Sequence, residues 1–148
     1  MPLNKDALQE LMPHAGAMCL LEAVQSWDER RIACRAHSHR DAANPLRSRG
    51  CLHAVCGIEY AVQAMAAHGA LLSLSRGARP AAGYLAQVRD FAWCVPRLDD
   101  IEADLLIEAQ RRAGAGDGAI YQFTIAAGGV ELAAGRATVF LRGAETAS

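Results

Sequence analysis

Residues 52–74, LHAVCGIEYAVQAMAAHGALLSL, decide the predicted fold of this chain. The stretch is long enough for about six helical turns, and almost every residue in it is apolar or small. That composition predicts a helix buried on most sides, not a surface helix with one apolar stripe. Glu59 and Gln63 lie four residues apart and therefore on one face of this helix. Because burial of an unpaired charge is costly, the carboxylate of Glu59 indicates a function.

Length and composition predict one domain over residues 1–148, with 52% hydrophobic residues, enough for a packed core. Fifteen basic and sixteen acidic residues give a net charge of −1, so no overall field would recruit nucleic acid or an anionic membrane. The five cysteines show no C-x-x-C spacing, which favours a reduced cytoplasmic protein over a disulfide framework or a zinc site. The N-terminus has no apolar signal core, and polar residues interrupt the long apolar run. Neither export nor membrane insertion is expected.

The pattern on both sides of the long helix predicts a short helix and six strands. The short helix covers residues 4–11, and a polar loop at 39–50 leads into the long helix. The strands are predicted at residues 19–27, 32–38, 83–94, 101–110, 119–127 and 130–141, with a hairpin turn at 114–118. One face of an antiparallel sheet can wrap around a single hydrophobic helix. The predicted class is therefore α+β, with an antiparallel sheet wrapped around one long central helix, the hotdog fold.

Three segments also carry a family resemblance. They are MPHAGAMCLLEAV at 12–24, GIEYAVQAMA at 57–66 and YLAQVRDFAWCVPRLDD at 84–100. In this order they resemble the hotdog-fold beta-hydroxyacyl-acyl-carrier-protein dehydratases of fatty acid synthesis. More narrowly, NPLR at 44–47 followed by GIEYAVQAMAAHG at 57–69 is similar to the dehydratase-like subfamily associated with aryl-polyene and related acyl-chain pathways.

The resemblance implies a lyase that dehydrates a 3-hydroxyacyl thioester carried on the phosphopantetheine of acyl carrier protein, with no cofactor or metal of its own. Family sites combine a His and a carboxylate from two protomers, which implies a homodimer or a heterodimer with another hotdog subunit. The chemistry needs a base beside the carbonyl and an acid for the departing hydroxyl. Here Glu59 would be the carboxyl group and Gln63 would orient it. Backbone amides of residues 50–54, at the helix start, would stabilise the thioester oxygen.

The expected catalytic histidine is missing. The family His lies fourteen residues before the Glu, and that position here is Pro45. His39, in the same loop, and His53, in the first turn of the predicted helix, are the candidate replacements. The helix dipole would lower the pKa of His53 and keep it neutral, as a base requires. His53 and Glu59 are about 120° apart around the helix, so they would meet only across a dimer interface.

Structural alternatives exist for each candidate residue. Glu59 and Gln63 could form a hydrogen-bonding pair at a dimer contact, His39 could be a solvated loop residue, and His53 a polar residue at the helix start. His68 is expected at a packing edge of the helix. Four loop arginines could be solvated, or could dock the phosphopantetheine arm or an acidic carrier protein: Arg47, Arg49, Arg76 and Arg79.

Three functions are consistent with these residues. The first is a catalytic dehydratase with an altered base, and the second is a noncatalytic subunit that partners an active dehydratase. The third, ranked last, is an acyl thioesterase in which Glu59 activates water.

Overall fold

The computed structural model describes residues 3–11, 19–77, 83–115 and 118–141. In these ranges the chain forms two α-helices, α1 (Lys5–Leu11) and α2 (Gly57–Ser75). The six strands are β1 (Ala23–Trp27), β2 (Arg31–Ala36), β3 (Gly83–Trp93), β4 (Leu105–Ala115), β5 (Gly118–Ala127) and β6 (Val130–Leu141). Two 3-10 turns, Ser38–Arg40 and Ala54–Cys56, bracket the loop that leads to α2.

The six strands form one antiparallel sheet in the order β1-β2-β4-β5-β6-β3. The strand that follows α2 pairs with the last strand of the chain, so β1 and β3 are the two edges. Helix α2 contacts every strand from β2 to β6. The predicted α+β class, a sheet wrapped around one long helix, is confirmed, and the fold matches that of hotdog proteins.

Helix α2 is buried on most sides, as its composition predicts. Eleven of its nineteen residues are buried, and its Tyr60 and Met65 join the strand residues Ile107, Phe123 and Ile125 in the core. Residues Ala54–Ser75 are long and apolar enough to span a membrane by length and composition, but 61% of the tested window is buried inside the protein. The apolar character of α2 is accounted for by its place at the centre of the sheet.

A glycine lets α2 begin close against the sheet. A Cβ atom on Gly57 would lie 2.7 Å from Cδ1 of Ile125 on β5 and 3.9 Å from Cδ1 of Leu98. The first of these separations is shorter than real Cβ contacts allow. Gly57 therefore brings the first turn of α2 onto β5, and this contact sets the position of Glu59 two residues later.

Several element boundaries differ from the prediction because remote partners bind the backbone. The α-helix starts at Gly57, not at residue 52, since Leu52 N–H donates to Asp99 Oδ1 and Ala54 N–H donates to Pro96 O. The first strand starts at Ala23 and not at residue 19, and the fourth starts at Leu105 and not at 101. The predicted hairpin turn at 114–118, the opening segment at 12–18 with His14, and the connector at 75–83 fall partly or wholly outside the described residues.

Candidate active site

Glu59 lies in the first turn of α2 and is half-buried. The sequence led us to expect a fully buried charge, and the side chain is instead partly exposed. Within the described residues its carboxylate forms no hydrogen bond or ion pair. Glu59 is therefore a carboxylate held at a fixed place on a rigid helix and open to a ligand or to a second chain.

Gln63 has a structural bond that the sequence did not predict. It is buried, and its Oε1 accepts a hydrogen bond of 2.8 Å from the backbone N–H of Leu20. No hydrogen bond joins Gln63 to Glu59 in the part of the chain that the structure describes. Gln63 fixes the segment before β1 onto α2, so the expected orientation of Glu59 by Gln63 is not present in this structure.

His39 is fully buried, so its expected solvated state is wrong. Its Nε2 lies 3.0 Å from the carbonyl oxygen of Ile101 and 3.1 Å from that of Ala103. Because carbonyl oxygens only accept, Nε2 carries the proton and Nδ1 is the unprotonated nitrogen. Burial lowers the pKa of His39, which keeps the ring neutral. The imidazole fastens the loop to the segment before β4, and it has no exposed surface from which to reach a substrate.

The loop before α2 is tied to the helix by a closed hydrogen-bond network around Tyr60. Ser38 Oγ donates to Leu20 O at 2.8 Å, so the Tyr60 hydroxyl, 2.7 Å away, donates to Ser38 Oγ. Asn44 Nδ2 in turn donates to the Tyr60 oxygen at 3.1 Å. Burial raises the pKa of Tyr60, which preserves its donor proton. Pro45, at the position of the family histidine, is exposed on this anchored loop.

His53 and Cys51 lie on the outer face of a short two-stranded bridge directly before α2. Residues 53 and 97 pair as an isolated antiparallel bridge, and Leu52 and Leu98 between the outward-facing residues point into the core. His53 is exposed, and its Nδ1 lies 3.8 Å from the Cys51 thiol. A type I′ turn at 48–51, with positive φ at Arg49 and Gly50, directs the chain into this bridge.

The same bridge places Arg97 and Asp99 beside His53. Arg97 donates from both Nε and Nη2 to the Asp99 carboxylate, and Arg47 Nη1 lies 4.0 Å from it. Hydrogen bonding to Arg97 holds the pKa of Asp99 well below its usual range. Sequence reasoning missed Asp99 as a structural centre, although the alternation in Arg-Leu-Asp at 97–99 is a strand signal that could have indicated it.

Most backbone amides expected to stabilise a thioester oxygen are already engaged. Cys51 N–H donates to Ser48 O, and Leu52 and Ala54 donate to Asp99 Oδ1 and Pro96 O. Of the predicted set at residues 50–54, these three are committed to the fold. The turn at Ala54–Cys56 and the first residues of α2 form the actual helix start, and Val55 there is exposed.

The remaining candidate side chains have other contacts. His37 lies 3.0 Å from Glu22 through Nε2, and Arg47 donates to the backbone oxygens of His39 and Gly50, so it is part of the loop and not a free docking residue. Arg49 and Arg76 are exposed, and Arg79 lies outside the described residues. In the described ranges no group of three His, Cys, Asp or Glu residues is arranged to hold a metal ion.

Comparison with protein families decides which group of hotdog proteins the chain resembles. The family model described as ApeP-like, ApeP dehydratase, matches residues 6–147. The chain belongs to the ApeP-like dehydratase family. This confirms the dehydratase resemblance that the three sequence segments carry. No curated protein is similar enough in sequence to count as a relative.

Solved structures similar to this ApeP-like protein share its fold at low sequence identity. The dehydratase heterocomplex ApeI:P from Xenorhabdus doucetiae matches with a TM-score of 0.84 and 22% identity, over 93% of this chain and 92% of that one. A putative thioesterase from Silicibacter sp. TM1040 matches at 0.64 and 16%, over 95% and 93%. Thioesterase superfamily member 2 from Mus musculus matches at 0.63 and 13%, over 94% of both chains.

Proposed function

We propose that this ApeP-like protein is a subunit of a cytoplasmic dehydratase that acts on 3-hydroxyacyl chains carried as thioesters on acyl carrier protein. In this proposal Glu59 is the carboxyl group of the site, and it assists departure of the hydroxyl. The imidazole base that removes the proton beside the carbonyl comes from a second hotdog subunit. No cofactor is needed, because both proton transfers are made by side chains.

The observation that carries this proposal is the state of Glu59. It is half-buried in the first turn of a rigid helix and has no hydrogen bond or ion pair within the described residues. A structural carboxylate would be expected to have a partner, because an unpaired, partly desolvated charge is unfavourable. Because the chain belongs to a dehydratase family, dehydration is the reaction in which we expect this carboxylate to take part.

The buried histidines of this chain favour a base from another subunit. His39 and His68 are both fully buried, and each is hydrogen-bonded through Nε2 to a backbone oxygen. His53 is exposed, but its bonded neighbour is the Cys51 thiol and not Glu59. The similar structure from Xenorhabdus doucetiae is a heterocomplex of ApeI and ApeP, which supports a second, different hotdog chain as the source of the base.

The test is dehydration of a 3-hydroxyacyl-acyl carrier protein by the protein alone and together with a second hotdog dehydratase subunit from the same organism. We expect turnover by the complex, and we expect Glu59→Gln to lower it by about 100-fold or more, since positioned acid–base groups contribute that much. The amide of glutamine keeps the size of the side chain but cannot donate a proton to the departing hydroxyl. The enoyl product is measured by mass spectrometry of the carrier.

Two control variants separate the roles. Glu131→Gln, an exposed carboxylate on β6, should leave turnover unchanged. His53→Gln should change it by no more than about threefold if the base belongs to the partner. A loss of turnover with His53→Gln as large as that with Glu59→Gln would refute the partner-supplied base. Full activity of Glu59→Gln in an assembled complex would refute the catalytic role.

A noncatalytic subunit is the second candidate, and one observation favours it. The position of the family histidine is an exposed Pro45 on a loop that Asn44, Ser38 and Tyr60 hold in place, so the loop has no local freedom to bring His39 into the site. For this function the chain would stabilise its partner. Glu59→Ala would then leave turnover intact, whereas loss of the whole chain would abolish it.

A further inference from the structure

A cavity lies between helix α2 and strands β4 to β6. Its volume is about 100 Å³. Its apolar lining includes Met65, Leu72, Ala119 and Val139, and Gly69 and Gly118 also border it. On α2 its lining runs from Met65, about 9 Å along the helix axis from Glu59, to Ser73, about 20 Å from it. None of the candidate active-site residues lines the cavity.

Two arginines without acidic partners line this cavity. Arg76 and Arg111 form no side-chain hydrogen bond or ion pair in the ranges that the structure describes, although both contribute to the lining. Five other described arginines are paired with carboxylates, whereas Arg30, Arg49, Arg89, Arg112 and Arg136 are exposed and form no ion pair within the described residues, so Arg76 and Arg111 are distinguished by lining one cavity. The paired arginines are Arg31, Arg35, Arg40, Arg47 and Arg97. Two unpaired guanidinium groups at one concave site create a local positive field that an anion would complement.

The polar groups at the base of the cavity have fixed orientations. His68 Nε2 donates to Asp28 O at 2.7 Å, so Nδ1 is the acceptor and the Tyr121 hydroxyl donates to it at 2.6 Å. Burial raises the pKa of Tyr121 to about 12, so it keeps this proton. Tyr121 can offer a ligand only oxygen lone pairs, and donors to an anion must come from Arg76, Arg111 and the Ser73 hydroxyl.

We propose that this cavity binds a small aliphatic carboxylate, with its carboxylate between Arg76 and Arg111 and its chain against Met65, Leu72 and Val139. A cavity of 150 Å³ holds benzene, so this one accommodates about four carbon atoms. The apolar lining disfavours a fully hydrated dianion such as phosphate, which would bury no hydrocarbon there. The site is independent of the dehydratase reaction.

The test uses butyrate as the probe and the full chain labelled with ¹⁵N, with binding followed by saturable NMR shifts. We expect butyrate to shift amide signals of α2 near Ser73 and of β4 near Arg111. Arg111→Gln and Arg76→Gln should each weaken binding by about tenfold or more, because each removes a charge-assisted contact. Ser73→Leu should abolish binding by filling the mouth of the cavity without altering either charge.

A neighbouring arginine supplies a matched control. Arg112 is exposed, lies one residue further along β4 and hydrogen-bonds to Gln110, so its side chain is on the opposite face of the sheet from Arg111. Arg112→Gln should leave butyrate affinity unchanged. Equal weakening by Arg112→Gln, equal binding of neutral butyramide, or tighter binding of inorganic phosphate than of butyrate would each overturn the proposal. Circular dichroism of every variant confirms folding, and Arg76, in the turn after α2, is the variant that least affects the core.

Discussion

Two polar residues of α2, Glu59 near its start and His68 in its C-terminal half, have opposite surroundings. In the C-terminal half, His68 is fully buried and both ring nitrogens are bonded, one to Tyr121 and one to Asp28 O. In the N-terminal half, Glu59 is partly exposed and has no partner in the described residues. His68 was expected at a packing edge, and that expectation is wrong. The fold accounts for the buried, fully bonded His68, whereas no hydrogen bond within the described residues accounts for Glu59.

The largest effect on stability is expected in the C-terminal half of α2, at the buried His68. His68→Leu keeps a similar volume but leaves the Tyr121 hydroxyl without its acceptor and Asp28 O without its donor. We expect the free energy of unfolding to fall by about 2–3 kcal/mol, because two buried polar groups lose their partner. Urea denaturation followed by circular dichroism measures the change.

An exposed histidine gives the control for that substitution. His37 is exposed and lies beside Glu22, so His37→Gln should change the free energy of unfolding by no more than about 0.5 kcal/mol. If His68→Leu lowered the free energy of unfolding as little as His37→Gln, the two hydrogen bonds of His68 would not contribute to stability as expected.

Acid should destabilise the fold through the two buried histidines. Burial lowers the pKa of both His39 and His68, so the unfolded chain binds protons at a higher pH than the folded chain. Stability is therefore complete above pH ~6.5 and falls as the pH decreases below that value, by up to about 1.4 kcal/mol per pH unit for each histidine. Urea denaturation between pH 7.5 and 5 measures the slope.

The same pH series sharpens the comparison when it is repeated on His68→Leu. That variant should keep only the share of the slope that belongs to His39. An unchanged slope would show that His68 is protonated as readily in the folded chain as in the unfolded one, in conflict with its buried, neutral state.

Substitutions of Gln63 and Glu59, both in the N-terminal half of α2, should differ in their effect on the free energy of unfolding. Gln63→Leu leaves the buried N–H of Leu20 without its acceptor, so we expect a loss of about 1–2 kcal/mol. Glu59→Gln removes no hydrogen bond formed within the described residues and should change stability by no more than about 0.5 kcal/mol. Equal losses in urea denaturation would show that the two residues form the structural pair considered as an alternative.

Local patterns predicted the elements of this fold, and remote contacts set the details that they missed. The central helix and the four strands after it follow from hydrophobic periodicity, which depends on neighbours in sequence. The late start of α2 depends on Asp99, 47 residues from the Leu52 N–H that it accepts. Likewise the role of Gln63 depends on Leu20 and that of His39 on Ile101. Glu59 could be singled out from the sequence as a carboxylate in an apolar helix, whereas the remote partners of Gln63 and His39 could not be predicted from it.

The smallest expected effect concerns the reactivity of two thiols, that of Cys51, which precedes α2, and that of Cys94, which follows β3. Cys51 is half-buried, with its thiol 3.8 Å from His53 Nδ1, whereas the Cys94 thiol is exposed and donates to Glu131 O. Because the imidazole of His53 lies within hydrogen-bonding distance of the Cys51 thiol and can orient it, His53→Asn should slow alkylation of Cys51 by iodoacetamide by about threefold. The rate at Cys94, measured in the same sample by peptide mass mapping, should not change. If the alkylation rate of Cys51 does not depend on residue 53, the imidazole does not act on the thiol. Exposure alone would then account for the difference in alkylation rate between Cys51 and Cys94.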